Sequence, residues 1–198
     1  ETPKFEIVEA TIEDIQKAIT TQQITATDIV HMYLERIKTY NGVCVNQPEG
    51  ILGPVSTIPN AGQINALMTL NLRPEHREEW GFDARKARSM TEREDNDPEM
   101  PDALEVAAAL DEEFARTGKL VGPLHGVVFG IKDQYDTFDM RTTAGADAFY
   151  ANDRPPRDGT FVTRLREAGA IILSKANMGE YAAGGVPGVR SSFGGTNC

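Results

Sequence analysis

Two lysines in this chain directly follow apolar runs that are short enough to be buried strands. Lys132 ends the run at residues 127–131, and Lys175 comes two residues after the run at 170–173. Burial of an ammonium group is unfavourable unless the charge is paired or put to use. Lys132 is therefore the first candidate for chemistry, and the adjacent Asp133 is a candidate for its partner.

Three roles compete for Lys132. A phosphate-binding loop requires adjacent Gly and Lys followed by Ser or Thr. Here Ile131 separates Gly130 from Lys132, and Asp133 would repel phosphate, which argues against that role. The second role is structural: a lysine that reaches from a strand end to solvent or pairs with Asp133. The third is a catalytic base or nucleophile. From the residues alone, the second and third roles stay open.

The elements around the lysines predict a β-α-β unit over residues 126–175. A strand at 127–131 is followed by a long irregular connection at 135–158, a helix at 161–168 and a strand at 170–173. Such a crossover makes the two strands parallel. Both strands are apolar throughout, which is typical of strands that are covered on both faces. Lys132 and Lys175 are then expected at the carboxyl ends of these strands, where open α/β sheets bind ligands.

Upstream, a helical start is predicted over residues 10–41. Thr11 and Thr25 each precede an Asp by three positions, which is a variant of the capping box. Another helix is predicted at 102–116, and residues 64–72 are compatible with a strand. Residues 73–100 carry dense charge of both signs. We predict that this segment is a solvated excursion anchored by Trp80 and Phe82, which we favour over a partner-binding site.

Composition limits the partners. The net charge of −10 and pI near 4.8 argue against nucleic acid, because phosphate binding needs a basic surface. No apolar run is long enough to span a bilayer, and the first residues show no signal-peptide core. A soluble protein is expected, either cytoplasmic or secreted after removal of a signal peptide. Three scattered histidines argue against a zinc site, and Cys44 and Cys198 are expected to be free thiols rather than a disulfide.

Several motifs in order resemble the amidase signature family of serine amidohydrolases. The resemblance is carried by Gly122-Pro-Leu-His-Gly126, Gly130-Ile-Lys-Asp133, Thr142-Thr-Ala-Gly145, Asp158, Leu165-Arg-Glu-Ala-Gly-Ala170, Lys175-Ala-Asn-Met178 with Glu180, and Ser192-Phe-Gly194 with Asn197. These pieces cover residues 120–198, and the upstream helices resemble the start of the family more loosely. Several motifs in register are far more specific than any one of them.

The resemblance implies an α/β fold with a mixed, largely parallel sheet and helices on both faces, incomplete in this chain. It implies hydrolysis of a carboxylic amide to an acid and ammonia or an amine through a serine acyl-enzyme, with Lys132 as the base of a Ser-cisSer-Lys triad. No metal and no cofactor is implied. Lys175 is expected beside the site in a structural role. His125 and Asn177 are expected to be turn and loop residues rather than proton carriers.

A base lysine must be neutral, and at pH 7 an unperturbed lysine is neutral in only about one molecule in 2,500. Lowering such a pKa to about 7 requires about 4.6 kcal/mol. We expect burial against Val128, Phe129 and Ile131 to supply this desolvation for Lys132. A close carboxylate would oppose it, so Asp133 is expected to be engaged elsewhere.

The two serines of the triad have no counterpart here, because the family pattern places them after Asn197. Ser191 and Ser192 precede the Phe-Gly of that pattern and are out of register. We expect residues 1–198 to be the N-terminal part of a single amidase domain, inactive by itself, with the C-terminal remainder of the same polypeptide as its partner. Homo-oligomerisation stays open.

The substrate is expected to be a small-molecule amide, and the sequence does not select one. The acidic balance makes a tRNA-dependent amidase less favoured. The alternative from another class is a non-catalytic binding or docking protein built on an amidase scaffold. Serines at the two triad positions would favour the enzyme, and substituted positions would favour the scaffold.

Overall fold

The structure, a computed structural model, describes residues 4–49, 53–148, 153–182, 191 and 193–196. The helices are α1 Ile12–Thr20, α2 Ala26–Tyr40, α3 Pro74–Glu79, α4 Ala103–Thr117 and α5 Thr160–Glu167. The strands are β1 Val45–Asn46, β2 Ser56–Thr57, β3 Leu67–Leu70, β4 Val128–Lys132 and β5 Ile171–Ala176. Short 3-10 turns occur at Ala84–Lys86 and Glu180–Ala182.

The first two helices begin as their sequences predict. Thr11 before α1 and Thr25 before α2 each exchange hydrogen bonds with an Asp three residues later, so both capping boxes are complete. The carboxylate of Asp111 in α4 accepts the first two backbone N–H groups of α2, at 2.6 and 3.0 Å. This second cap satisfies donors that a helix start otherwise leaves open, and it fixes α2 against α4.

The three longer strands form one mixed sheet in the order β3–β5–β4. Strands β4 and β5 are parallel and are joined through α5, while β3 pairs with β5 in the antiparallel direction. The predicted β-α-β unit and the α/β fold class with a mixed sheet are therefore confirmed. The short strands β1 and β2 form a separate antiparallel ribbon.

Helices cover the sheet on both faces because neighbouring residues of β5 point in opposite directions. Ile171 and Leu173 lie in a core cluster with residues of α2 and α4. Ile172 lies in a different cluster, with Ile131 of β4 and Val162 of α5. This two-sided burial explains why both strands are apolar throughout.

Most of the charged side chains in the segment at 73–100 are exposed, as predicted, but the segment also contains a buried ion pair that the prediction did not include. Arg88 is fully buried and Asp95 is 3 % exposed. Two nitrogens of the Arg88 guanidinium donate to the two Asp95 oxygens at 2.7 and 2.6 Å. Dense charge suggested solvent, but ions of opposite sign can be buried when they pair with good geometry. Trp80 and Phe82 do pack against the core of α2 and α4, as predicted.

The structure also bears on the cysteines and on membrane-spanning helices. Cys44 is buried and disulfide-bonded, so the expectation of a free thiol is wrong at this position. Cys198 lies outside the described residues. In the described part of the chain, none of the helices is both long enough and apolar enough to cross a membrane.

Candidate active site

The parallel pairing of β4 and β5 brings the two lysines to the same end of the sheet. Ile131 is paired with Lys175, and Lys132 is paired with Ala176. Paired residues share a face of the sheet, and successive residues alternate. Lys132 and Lys175 therefore point to opposite faces, and each has its own environment.

Lys132 is the last residue of β4, and its side chain is exposed in this structure. Its Nζ donates to the backbone oxygen of Asn177 at 2.6 Å. Among the described residues, no carboxylate lies within 4.0 Å of this nitrogen. The expectation that Val128, Phe129 and Ile131 bury the Lys132 side chain is wrong in this structure. Lys132 is the exposed last residue of β4, and of the three neighbours only Ile131 is itself buried.

Asp133 is buried and engaged away from Lys132, as expected. Its carboxylate accepts hydrogen bonds from the hydroxyl and backbone N–H of Thr143 and from the backbone N–H of Gly145. Burial raises the pKa of Asp133, whereas the Thr143 hydrogen bond and the charge of Lys175 act in the opposite direction. Asp133 thus anchors the Thr143–Gly145 segment and, in the part of the chain that the structure describes, is not a counter-ion for the Lys132 amine.

Lys175 is fully buried. Its Nζ donates to the backbone oxygen of Tyr135 at 2.5 Å and to Oγ1 of Thr142 at 2.9 Å, and it lies 3.9 Å from Oδ1 of Asp133. Burial lowers the pKa of Lys175 to about 8, against the opposing effect of Asp133. Its amine is enclosed and committed to these partners, so this geometry supports a structural role.

Residue 191 and residues 193–196, called the C-terminal segment below, contact the loop after β4 at Gly145. Gly145 has a φ of +80°, and a Cβ there would lie 2.5 Å from the Met178 oxygen. The Ser191 hydroxyl is buried, donates to the Gly145 oxygen at 2.6 Å and accepts from the Gly194 N–H at 2.8 Å. These contacts hold Ser191 in a turn. Ser192 lies outside the described residues.

The guanidinium of Arg141 covers the ring of Phe193 at 3.8 Å, which ties the C-terminal segment to the loop after β4. Sequence reasoning missed Arg141 because cation–π partners 52 residues apart leave no periodic signal. It also missed Asn65, whose Nδ2 donates to the oxygens of Gly194 and Thr196 at 2.9 and 3.1 Å. An isolated Asn before a strand carried no local signal for this role.

His125 and Asn177 occupy the places expected of turn and loop residues. His125 is buried, and its Nδ1 accepts the Val121 backbone N–H at 3.1 Å. Burial lowers the pKa of His125, with Asp111 opposing, which favours the neutral ring. Asn177 directly follows β5. Within the described part of the chain, no group of three or more His, Cys, Asp or Glu side chains is arranged to hold a metal ion.

Comparison with known proteins identifies the class. The sequence model of the family described as Amidase matches residues 96–198, just over half of the chain and including the whole lysine site. The chain is 33 % identical over 180 residues to one subunit of the glutamyl-tRNA(Gln) amidotransferase of Alkaliphilus metalliredigens, an alignment that covers 91 % of this chain and 26 % of that protein.

Two solved peptide amidase structures also superpose on this chain. A peptide amidase in complex with the competitive inhibitor chymostatin superposes with a TM-score of 0.67 and 28 % identity, covering 98 % of this chain and 30 % of that one. The native peptide amidase of Stenotrophomonas maltophilia superposes with a TM-score of 0.64 and 28 % identity, covering 96 % of this chain and 29 % of that one. The chain belongs to the amidase family. It spans between a quarter and a third of the length of these relatives.

Proposed function

We propose that this chain supplies the base, Lys132, of a serine amidohydrolase. The observation that carries the proposal is the geometry of Lys132: an exposed residue at the carboxyl end of β4 whose amine donates to a neutral carbonyl. A base needs a lone pair and no counter-ion, and Asp133 is engaged elsewhere. Burial lowers the pKa of Lys175 to about 8, but its amine is enclosed and therefore closed to a substrate.

In the proposed reaction, neutral Lys132 accepts a proton from a bridging serine, which in turn accepts the proton of a nucleophilic serine. The nucleophile attacks the amide carbonyl, the C–N bond breaks, and the proton passes back through the bridging serine to the leaving amine. Water then releases the acid and frees the serine. Both serines come from residues outside this sequence. Packing of those residues over Lys132 would bury its side chain, and burial disfavours a charged amine.

Substitution of Lys132 in a polypeptide that includes the serine-bearing remainder tests the proposal. We expect Lys132→Met to lower kcat for amide hydrolysis, measured by ammonia release, by about 10²- to 10⁴-fold. Lys119→Met is the matched control, because Lys119 is an exposed lysine in the turn after α4. Full activity of the Lys132 variant would overturn the assignment.

A fluorophosphonate probe separates the enzyme from the non-catalytic alternative, because the probe labels only an activated serine. The longer polypeptide should be labelled, its Lys132→Met variant should be labelled slowly, and residues 1–198 alone should not be labelled. A longer polypeptide that binds amides but is neither labelled nor active would instead be a docking protein on an amidase scaffold.

For the substrate, we propose a small-molecule amide, including C-terminal amides of peptides, rather than an amide carried on tRNA. The match to a peptide amidase extends over 98 % of the chain, and the net charge of −10 disfavours a polyanion. Relative kcat/KM for peptide, aliphatic and aryl amides tests this, with an amidated tRNA as the contrasting substrate. Hydrolysis of the tRNA-linked amide alone would contradict the proposal.

A further inference from the structure

Asn177 joins Lys132 to two separate parts of the fold. Its backbone oxygen accepts the Lys132 Nζ at 2.6 Å, and its backbone N–H donates to the Ala66 oxygen at 2.7 Å. Its side-chain Nδ2 donates to the backbone oxygens of Asn65 and Gly195, both at 3.0 Å. The residue is 1 % exposed. One asparagine thus joins the entry to β3, the backbone at Gly195 and the lysine amine.

The orientation of the Asn177 side-chain amide is fixed by its hydrogen-bond partners. Both neighbours of Nδ2 are carbonyl oxygens, so only the NH₂ end of the amide can face them. The other end, Oδ1, is buried and has no hydrogen-bond partner among the described residues. It packs against Gly194, where a Cβ would lie 2.7 Å away. An unpaired buried oxygen destabilises a fold, so the two hydrogen bonds of Nδ2 are maintained against this penalty.

The pairing of β4 with β5 does not by itself hold the carbonyl that contacts Lys132. The last pair of that ladder is Lys132 with Ala176, and the Asp133 N–H donates to the Ala176 oxygen at 3.2 Å. The next carbonyl, that of Asn177, lies beyond the ladder. Its position depends on the hydrogen bonds made by the residue's own N–H and side chain.

We propose that Asn177 is a positioning residue that orients the lone pair of Lys132. This inference rests on the proposed function. Nζ of a neutral amine has four tetrahedral directions: one is the bond to Cε, and the hydrogen bond to the Asn177 oxygen occupies a second. The lone pair is then confined to the side of Nζ that faces away from Asn177, where a bridging hydroxyl can approach. Misplacement of a reacting group by about 1 Å can lower a rate by about 10²-fold.

The test uses the longer polypeptide with its serines and compares two buried asparagines. Asn177→Leu keeps the branching and the number of heavy atoms of the side chain and removes both Nδ2 hydrogen bonds. Asn71→Leu is the matched control: Asn71 is also 1 % exposed, and its Nδ2 donates to Oδ2 of Asp139 and to the Ile172 oxygen at 3.0 and 2.8 Å. It has no contact with Lys132.

We expect both variants to lower the thermal unfolding midpoint, but only Asn177→Leu to lower kcat, by about 10²-fold with KM little changed. The loss should be the same at every pH, because orientation rather than protonation is impaired. The rate of fluorophosphonate labelling should fall by the same factor, since labelling needs the base but no substrate. Gly194→Ala should also lower kcat, because its Cβ would lie 2.7 Å from Oδ1 of Asn177 and displace that side chain. If Asn177→Leu does not fold, the Gly194→Ala variant tests the positioning role in its place.

Equal kcat values for Asn177→Leu and Asn71→Leu, with equal loss of stability, would show that Asn177 has a structural role alone and would overturn the inference. The Lys132→Met variant separates the two proposals. If that variant is inactive while Asn177→Leu keeps full activity, only the positioning role is wrong. If Lys132→Met is fully active, the proposed function itself is wrong, and the positioning role with it.

Discussion

Removal of the Arg88 side chain tests whether the charged segment at 73–100 is built on a buried ion pair. Besides its two hydrogen bonds to Asp95, the guanidinium donates to Oδ1 of Asn71 at 3.1 Å and to the Met100 oxygen at 3.0 Å. Arg88→Met keeps an unbranched apolar side chain and removes every one of these donors. The Asp95 carboxylate then retains its ion pair with Arg154, at 3.1 Å.

The magnitude follows from the burial of both partners. Breaking a buried ion pair by removing one member destabilises a protein by about 3–5 kcal/mol. Because Arg154 still faces Asp95, we expect the lower end of that range, about 3 kcal/mol. With an m value of about 2 kcal/mol/M, the urea midpoint should fall by about 1.5 M. A solvated pair would change it by at most about 0.5 M, since exposed pairs contribute about 0–1 kcal/mol.

Urea unfolding followed by the fluorescence of Trp80 measures this directly. Trp80 is the single tryptophan of this sequence. It lies within the charged segment and packs, partly buried, against the core cluster of α2 and α4. Arg93→Met is the control, because Arg93 lies five residues from Arg88 and is exposed. Equal midpoints for the two variants would refute the buried-pair reasoning.

Two further predictions concern pH and backbone geometry. Burial lowers the pKa of His76, but its hydrogen bond to Asp102 and the charge of that carboxylate outweigh burial and leave the pKa above 6.5. The stability lost in His76→Gln should therefore be largest below pH 6.5 and shrink as pH rises through the folded-state pKa; a difference independent of pH in urea titrations would contradict this. Gly145→Ala should lower the thermal midpoint more than Gly118→Ala, since both glycines have positive φ but only at Gly145 does a Cβ meet backbone. Equal shifts would mean that the loop around Gly145 yields without strain.

Local patterns predicted the elements of this chain well. The capping boxes at Thr11 and Thr25, the parallel unit across residues 126–175 and the placement of Lys132 at a strand end all follow from spacing over a few residues. Such signals can be detected in a sequence because capping and alternation act between near neighbours. The expectation that Lys132 is a catalytic base came from the family resemblance, because residue spacing by itself does not distinguish a base lysine from a structural one.

The features that the predictions missed depend on contacts between distant residues. Composition suggested a solvated segment where Arg88, Asp95 and Arg154 form buried ion pairs, the last of them more than fifty residues from the others. The apolar run before Lys132 suggested a buried amine, but burial of a strand does not extend to a side chain that passes its end. The enclosed lysine is Lys175, because the loop after β4 folds back over it through Tyr135 and Thr142.

By itself the sequence determined the fold class, the order of helices and strands, and the presence of two lysines at one end of a sheet. Only the tertiary structure decided which lysine is enclosed, which is open, and that the Asn177 carbonyl holds the open one. The reason is physical: hydrophobic periodicity and capping are properties of a short stretch of chain. The environment of an amine depends on carbonyls, hydroxyls and carboxylates that other parts of the chain bring within about 3–4 Å of it.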